Sequence, residues 1–251
     1  MLKTINKNIY FVQIPKTAGN SVRIFLNTYS GGSYLNGKTK EERAHYFGVR
    51  DAYRVGHISF KIPYFPCYIY NKKYLKSDFS FTVVRNPFDL LVSYYFHFAT
   101  KGDWVESGWV NVNGHHEFQT FRDFITSYCD PSFEWHVPLL KRNLYSQLFD
   151  ENGNSLVNYA LWFENLYPNL KTLLGMCGKP KDKKYVFSVN NRSKKRKRVP
   201  YHELYDKDLV KMVEEKCKWE LETFNYRFGI TKQKLKRPIK DISDLKWKYE
   251  K

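Results

Sequence analysis

Apolar residues along the chain fall into two kinds of run, and their alternation predicts the fold. Ile9 to Ile14 (IYFVQI) and Phe79 to Val84 (FSFTVV) are short, almost unbroken apolar stretches of strand length, rich in aromatic and β-branched residues. Each is stopped within three residues by a proline, Pro15 or Pro87, and each is followed by a helical period. After the first, Val22, Phe25 and Leu26 stand at i, i+3 and i+4 of a helix over 21–29. After the second, Phe88 to Phe98 reads as helix with Pro87 at its first position. Two strand–turn–helix units predict the α/β class, a parallel β-sheet flanked by helices in a single domain.

The rest of the chain is read the same way. Residues 31–76 are loop-rich, and 101–116, rich in Gly, Trp and His, have no period and read as an inserted loop. Glu117 to Tyr128 predicts a helix with Phe118, Phe121, Phe124 and Ile125 on one face. Asn152-Gly153 marks a turn between Ser146–Phe149 and the strand-like Ser155–Phe163, so a hairpin is expected. Leu166 to Met176 predicts a helix closed by Gly175 or Gly178, and Asp206 to Phe224 another, with Leu209, Met212, Val213, Cys217, Leu221 and Phe224 inward.

Composition narrows the class. Of 251 residues, 6 Trp, 20 Tyr and 19 Phe are too many rings to leave in water, which excludes a wholly disordered chain. The length suits one core, and the expected boundaries are a domain over 1–230 and a basic tail over 231–251, solvated apart from a short helix near Asp241 to Tyr249. Net charge is +17, but 179–200 carries +9 and 231–251 carries +5, so the body is nearly neutral. That distribution points to one anion-binding loop and a solvated tail, and disfavours a protein coated for nucleic acid. The four cysteines are widely spaced, with no C-x-x-C and no paired histidines near them, so neither a zinc site nor a disulfide framework is expected. No apolar run is long enough for a transmembrane segment, and the chain reads as cytoplasmic, or as Golgi-lumenal if an N-terminal anchor has been removed.

The two turns carry the candidate chemistry. Pro15-Lys16-Thr17-Ala18-Gly19-Asn20-Ser21 lies where a strand hands over to a helix, where unpaired N–H groups and the positive dipole end meet an anion. Its order is not that of the triphosphate loop G-x-x-x-x-G-K-[ST], because Lys16 comes first with a single glycine behind it. In Val84-Arg85-Asn86-Pro87-Phe88-Asp89-Leu90-Leu91-Val92-Ser93, Arg85 at a strand end and Ser93 two helical turns on can share a second phosphate. Read alone, Arg85 is equally a salt-bridge former.

Together the two motifs resemble sulfotransferases that use 3′-phosphoadenosine 5′-phosphosulfate, within them the carbohydrate branch of sulfotransferase family 2. Gly56-His57-Ile58-Ser59, lying between the motifs, is similar to the segment found there in uronyl and heparan sulfate 2-O-sulfotransferases. Trp162-Phe163-Glu164-Asn165-Leu166 and Asn191-Arg192-Ser193 resemble the family's C-terminal half more loosely. The resemblance implies a P-loop-like sheet, 3′-phosphoadenosine 5′-phosphosulfate as sulfonate donor, no required metal, and a hydroxyl acceptor on a saccharide or polysaccharide. It implies that Lys16 neutralises the bridging oxygen, that Thr17, Ala18, Gly19, Asn20 and Ser21 cradle the 5′-phosphate, and that Arg85 and Ser93 hold the 3′-phosphate. Asn20 stands where the family has Thr or Ser. In the resemblance His57 takes the place of the general base, an imidazole able to take a hydroxyl proton; read alone, it is a loop histidine satisfied by a backbone carbonyl.

Other residues keep two readings. His115 and His116 in the inserted loop, and His136 after Trp135, either line an acceptor cleft or pack a surface loop. Glu164 is either a partner for a bound group or the acid at a helix start. The cluster Arg192-Ser193-Lys194-Lys195-Arg196-Lys197-Arg198 folds over the nucleotide's 3′-phosphate, binds an anionic polysaccharide, serves as a nuclear-localisation or nucleic-acid patch, or is a merely solvated loop. Two rival functions fit part of the pattern: a P-loop nucleotide kinase-like phosphotransferase, which would need glycines ahead of the lysine, and a non-enzymatic polyanion-binding protein.

Overall fold

Both apolar runs become strands, and a third joins them. The computed structural model describes residues 2–4, 7–19, 21–22, 25, 34–35, 79–96, 118, 120–133, 144–145, 148–149, 152–177, 199–229 and 239–246. These fall into two compact units, a sheet unit drawn from Met1–Val84, Tyr145–Asn190 and Lys234–Lys251, and a helical unit drawn from Arg85–Leu144 and Asn191–Gln233. The chain passes from one unit to the other four times, so neither is a separate stretch of sequence.

The sheet holds β1 (Leu2–Thr4), β2 (Lys7–Val12), β3 (Tyr34–Leu35), β4 (Phe79–Val84), β5 (Tyr159–Trp162) and β6 (Lys240–Asp241), in the order β3-β1-β2-β4-β5-β6. Its three central strands β2, β4 and β5 are parallel, with Phe11 opposite Phe81 and Val84 opposite Trp162, as the strand–turn–helix pattern requires. The edges differ from that expectation: β1, β3 and β6 add antiparallel, making the sheet mixed. Thr82 donates its hydroxyl to the carbonyl of Val12 at 2.9 Å, and Asn158 exchanges hydrogen bonds with Ser80, so polar residues inside the apolar runs pin neighbouring strands in register.

After β5 a single 3-10 turn (Phe163–Asn165) leads into helix α3 (Leu166–Met176), numbered after two helices of the other unit. Phe11, Phe81, Val83 and Leu161 from the strands pack with Val22, Phe25, Leu166, Leu170, Leu173 and Leu174 in one buried cluster. The Phe11 and Phe81 rings stack at 5.0 Å, and each such side chain contributes about 1.5–3 kcal/mol by leaving water. Helix α3 ends at Cys177, with Gly175 inside its last turn instead of closing it. The expected hairpin shrinks to one bridge, Phe149 to Ser155, around Gly153 at φ 76°. The strand proper starts at Tyr159, where β4 offers a parallel partner.

The tail departs most from its reading as solvated chain. Lys240–Asp241 pairs with β5, Ile242 is buried and donates its N–H to Asn158 at 2.7 Å, and no helix forms over the described 239–246. The basic residues hid a two-residue edge strand, and the isoleucine that follows it is buried.

In the helical unit, α1 (Pro87–Tyr94) is capped by Asn86, which accepts the N–H of Phe88. Helix α2 (Phe121–Cys129) starts with a reciprocal capping box between Thr120 and Asp123. The stretch read as one helix from 206 to 224 is two, α4 (Lys207–Lys216) and α5 (Lys218–Thr223), broken at Cys217. Leu209, Val213, Cys217, Leu221 and Phe224 are buried as expected, Met212 is half-buried, and Glu220 joins the inward stripe, its carboxylate accepting the N–H of Leu144 at 3.1 Å.

Candidate active site

The chain leaves β2 through Gln13, Ile14 and Pro15, all buried, and enters a tight loop. Lys16 and Ala18 are both left-handed, at φ 62° and 66°, with Thr17 between them. Such alternation turns successive N–H groups toward one side and makes a concave anion nest. Holding a residue with a Cβ in this region costs about 1–3 kcal/mol, so two in three residues mark a site where backbone geometry matters more than stability. Thr17 is fully buried and donates its hydroxyl to the carbonyl of Ile14 at 2.8 Å. Its hydroxyl proton thus ties the loop together, and what it offers an anion is its backbone N–H. The carbonyl of Ala18 accepts the N–H of Val22 at 3.1 Å, and Gly19, Ser21, Val22 and Phe25 are helical, so the helix starts at the loop and its first-turn N–H groups and dipole add to the nest.

Gly19 is required by a close approach. A Cβ there would fall 2.2 Å from the side-chain amide of Gln13, which is itself buried beneath the loop. Gly19→Ala should therefore destabilise the protein by about 1–3 kcal/mol. Gln13→Ala in the same chain should restore most of that loss, and a double-mutant cycle of melting temperatures checks it. Additive losses would show that the two residues do not collide.

Beside the loop lies a cavity of about 270 Å³ lined by Ala18 and Ser21 on one side and by Phe163, Glu164, Asn165 and Tyr167 on the other. The ring of Tyr167 meets Phe25 edge-on at 6.2 Å, so the cavity wall is continuous with the core. Glu164 sits in the 3-10 turn just ahead of α3 and also borders this cavity, which joins its two readings.

In the helical unit, Arg85 and Ser93 are both buried, at 6% and 9% exposure. Arg85 forms an ion pair with Asp89, Nε at 2.7 Å and Nη2 at 2.6 Å from the same carboxylate oxygen. The salt-bridge reading of Arg85 thus holds, and Asp89 is a residue the sequence reading passed over. Its position four residues on, in the first turn of α1, was the signal. Ser93 is one turn beyond Asp89 on the same face of α1. Asn86, also passed over, donates to the carbonyl of Arg227 at 3.0 Å and to the hydroxyl of Tyr201 at 3.4 Å, while Tyr205 donates to the carbonyl of Phe88 at 3.0 Å. Burial, with the nearby Cys217 and Asp89, raises the Tyr205 hydroxyl well above its ordinary range, so it stays a protonated donor. An Asn before Pro at a helix start is a cap signal, which would have found Asn86.

His57, Asn20, Arg192, Ser193, the cluster 194–198, the loop 101–116 with His115 and His116, and His136 lie outside the described residues. Among the described residues no three His, Cys, Asp or Glu side chains gather as a metal site, and no helix is long and apolar enough to cross a membrane. Burial pushes the Cys129 thiol up to about 11 and the Cys217 thiol well above its usual range, so neither is a thiolate nucleophile near neutral pH.

Compared with known families, residues 4–227 match the model described as "Sulfotransferase family". No curated protein and no solved structure matches the chain.

Proposed function

The chain belongs to the sulfotransferase family, and from that premise we propose that it moves the sulfonyl group of 3′-phosphoadenosine 5′-phosphosulfate to a hydroxyl of a saccharide acceptor, in line, with His57 as base. The observation that carries the reading is the loop 15–19, an anion nest at a helix start with a lysine on it and an aromatic-walled cavity beside it. A nucleotide has that shape: a phosphate for the nest, and a flat base for a cavity bordered by Phe163 and Tyr167. The Gly56-His57-Ile58-Ser59 segment supports the saccharide class of acceptor.

In this reading the loop N–H groups and Ser21 hold the 5′-phosphate, and Arg85 and Ser93 the 3′-phosphate. His57 accepts the proton of the acceptor hydroxyl as its oxygen bonds to sulfur. Lys16 neutralises the bridging oxygen as the bond from sulfur to the departing bisphosphate breaks. Arg192 and Ser193 contribute from the basic loop to the same 3′-phosphate. The chemistry is group transfer between oxygens, so no electron source is needed.

Calorimetric titration with 3′-phosphoadenosine 5′-phosphate against ATP, with and without Mg²⁺, tests it. Micromolar binding of the bisphosphate, with ATP weaker by about tenfold or more, is the expected result. Preference for ATP with Mg²⁺ would favour a phosphotransferase instead. Absence of nucleotide binding, with strongly salt-dependent polyanion binding, would favour the non-enzymatic reading.

A further inference from the structure

Arg85, the residue that the proposed reading gives to the 3′-phosphate, already has a carboxylate against it. We propose, resting on that reading, that Asp89 is a positioning residue that fixes the guanidinium of Arg85 so that a nucleotide with a 3′-phosphate is told from one without.

The geometry of the pair is specific. Both Nε and Nη2 of Arg85 reach one oxygen, Oδ2, of Asp89, at 2.7 and 2.6 Å, so the carboxylate takes one edge of the guanidinium plane and thereby sets the direction of the other. The side chains are only 8% and 16% exposed, so salt screens the pair little. A long arginine side chain loses rotamer freedom when held, and a partner that holds it beforehand lowers the ordering cost of binding the phosphate.

Asp89 itself stands on a fixed platform. It is the third residue of α1, where a carboxylate is favoured by the helix dipole. The start of that helix is held from three sides: by Asn86 on the carbonyl of Arg227, by the Tyr205 hydroxyl on the carbonyl of Phe88, and by the rings of Tyr205 and Phe228 at 5.3 and 5.0 Å from that of Phe88. A carboxylate with this support moves little, and so neither does the guanidinium it grips.

Charge alone predicts the opposite outcome. If Asp89 acted only as a negative charge beside an anion site, removing it would tighten every anion. Positioning predicts that removal weakens the contact of Arg85 with the 3′-phosphate, and leaves the loop contacts alone.

The test uses the full chain, titrated with 3′-phosphoadenosine 5′-phosphate and with adenosine 5′-phosphate, which differ only in the 3′-phosphate. Wild type should prefer the bisphosphate. Asp89→Asn should cut that preference about tenfold, the worth of one oriented charge-assisted contact, with affinity for adenosine 5′-phosphate unchanged. Asp89→Glu, which keeps the charge and shifts it by a methylene, should cut the preference less, about threefold by the same scale; if Asp89→Asn does not fold, this variant decides. An unchanged preference in the folded variants, tighter bisphosphate binding in Asp89→Asn, or equal weakening of both ligands overturns the inference. A wild type with no preference for the bisphosphate overturns the donor reading itself, and this inference with it.

Discussion

Lys16→Ala should lower kcat by about 10²–10³-fold, the usual cost of removing one charge-stabilising donor from an acyl- or group-transfer site. The substitution isolates the ammonium group. Lys16 is left-handed at φ 62°, and alanine bears a Cβ as lysine does, so the strain of the loop is the same before and after. Thr17 still ties the loop to Ile14, and Gly19 still accommodates Gln13. The melting temperature should therefore stay within a few degrees while turnover collapses. Lys16→Arg should recover only part of the rate, because a planar fork on the same strained backbone does not put its charge where a compact ammonium does. Single-turnover measurement with saturating donor separates the chemical step from binding. A kcat within about threefold of wild type, measured on folded protein, would remove Lys16 from the reaction.

What the sequence revealed and what it hid follow from how local each feature is. The strands β2 and β4, their proline-stopped turns and the helices after them rest on runs of six to ten residues, and periodicity reads such runs directly. The anion loop was legible for the same reason, since Lys, hydroxyls and Gly stand next to one another. The nest itself was not, because nothing in Lys16 or Ala18 as residue types announces a left-handed backbone. Gln13 escaped too: its burial against Gly19 is a contact of six residues' separation across a turn whose shape the sequence does not specify.

The larger misses are non-local. Strand β6 pairs with β5 across about eighty residues of sequence, and its Lys240-Asp241 core carries no apolar signature of its own. Only Ile239 and Ile242 flanked it as a sign of burial among charges. The break at Cys217 was hidden by a regular apolar stripe that runs straight through it. Glu220 lies on that stripe, and its burial depends on the Leu144 N–H, supplied by a segment far away in sequence. Asp89 was the opposite case: its partner Arg85 is four residues away, and the sequence marks Arg85 as a salt-bridge former without showing which acid it meets.

His57→Ala should give the second large loss, about 10²–10⁴-fold in kcat, with the affinity for 3′-phosphoadenosine 5′-phosphate unchanged within about twofold. The two effects belong together because a base touches the acceptor, not the donor's phosphates. A residue that merely packed the donor site would weaken both. The sign of the pH dependence follows from the role. A base must be neutral to take a proton, and an imidazole that already carries one cannot. Wild-type kcat/KM should thus fall on the acid side, as the imidazole takes up a proton. In His57→Ala that acid limb should vanish from the residual rate, since the group whose protonation caused it is gone. An acid limb that persists in the variant would place the titrating base elsewhere, and the histidines at 115, 116 and 136 would be the next to replace. Comparison with Lys16→Ala then separates the two halves of the reaction: loss of the lysine acts on the bond that breaks, loss of the histidine on the bond that forms. If the two groups act in one transition state, the double variant should lose far less than the product of the single losses.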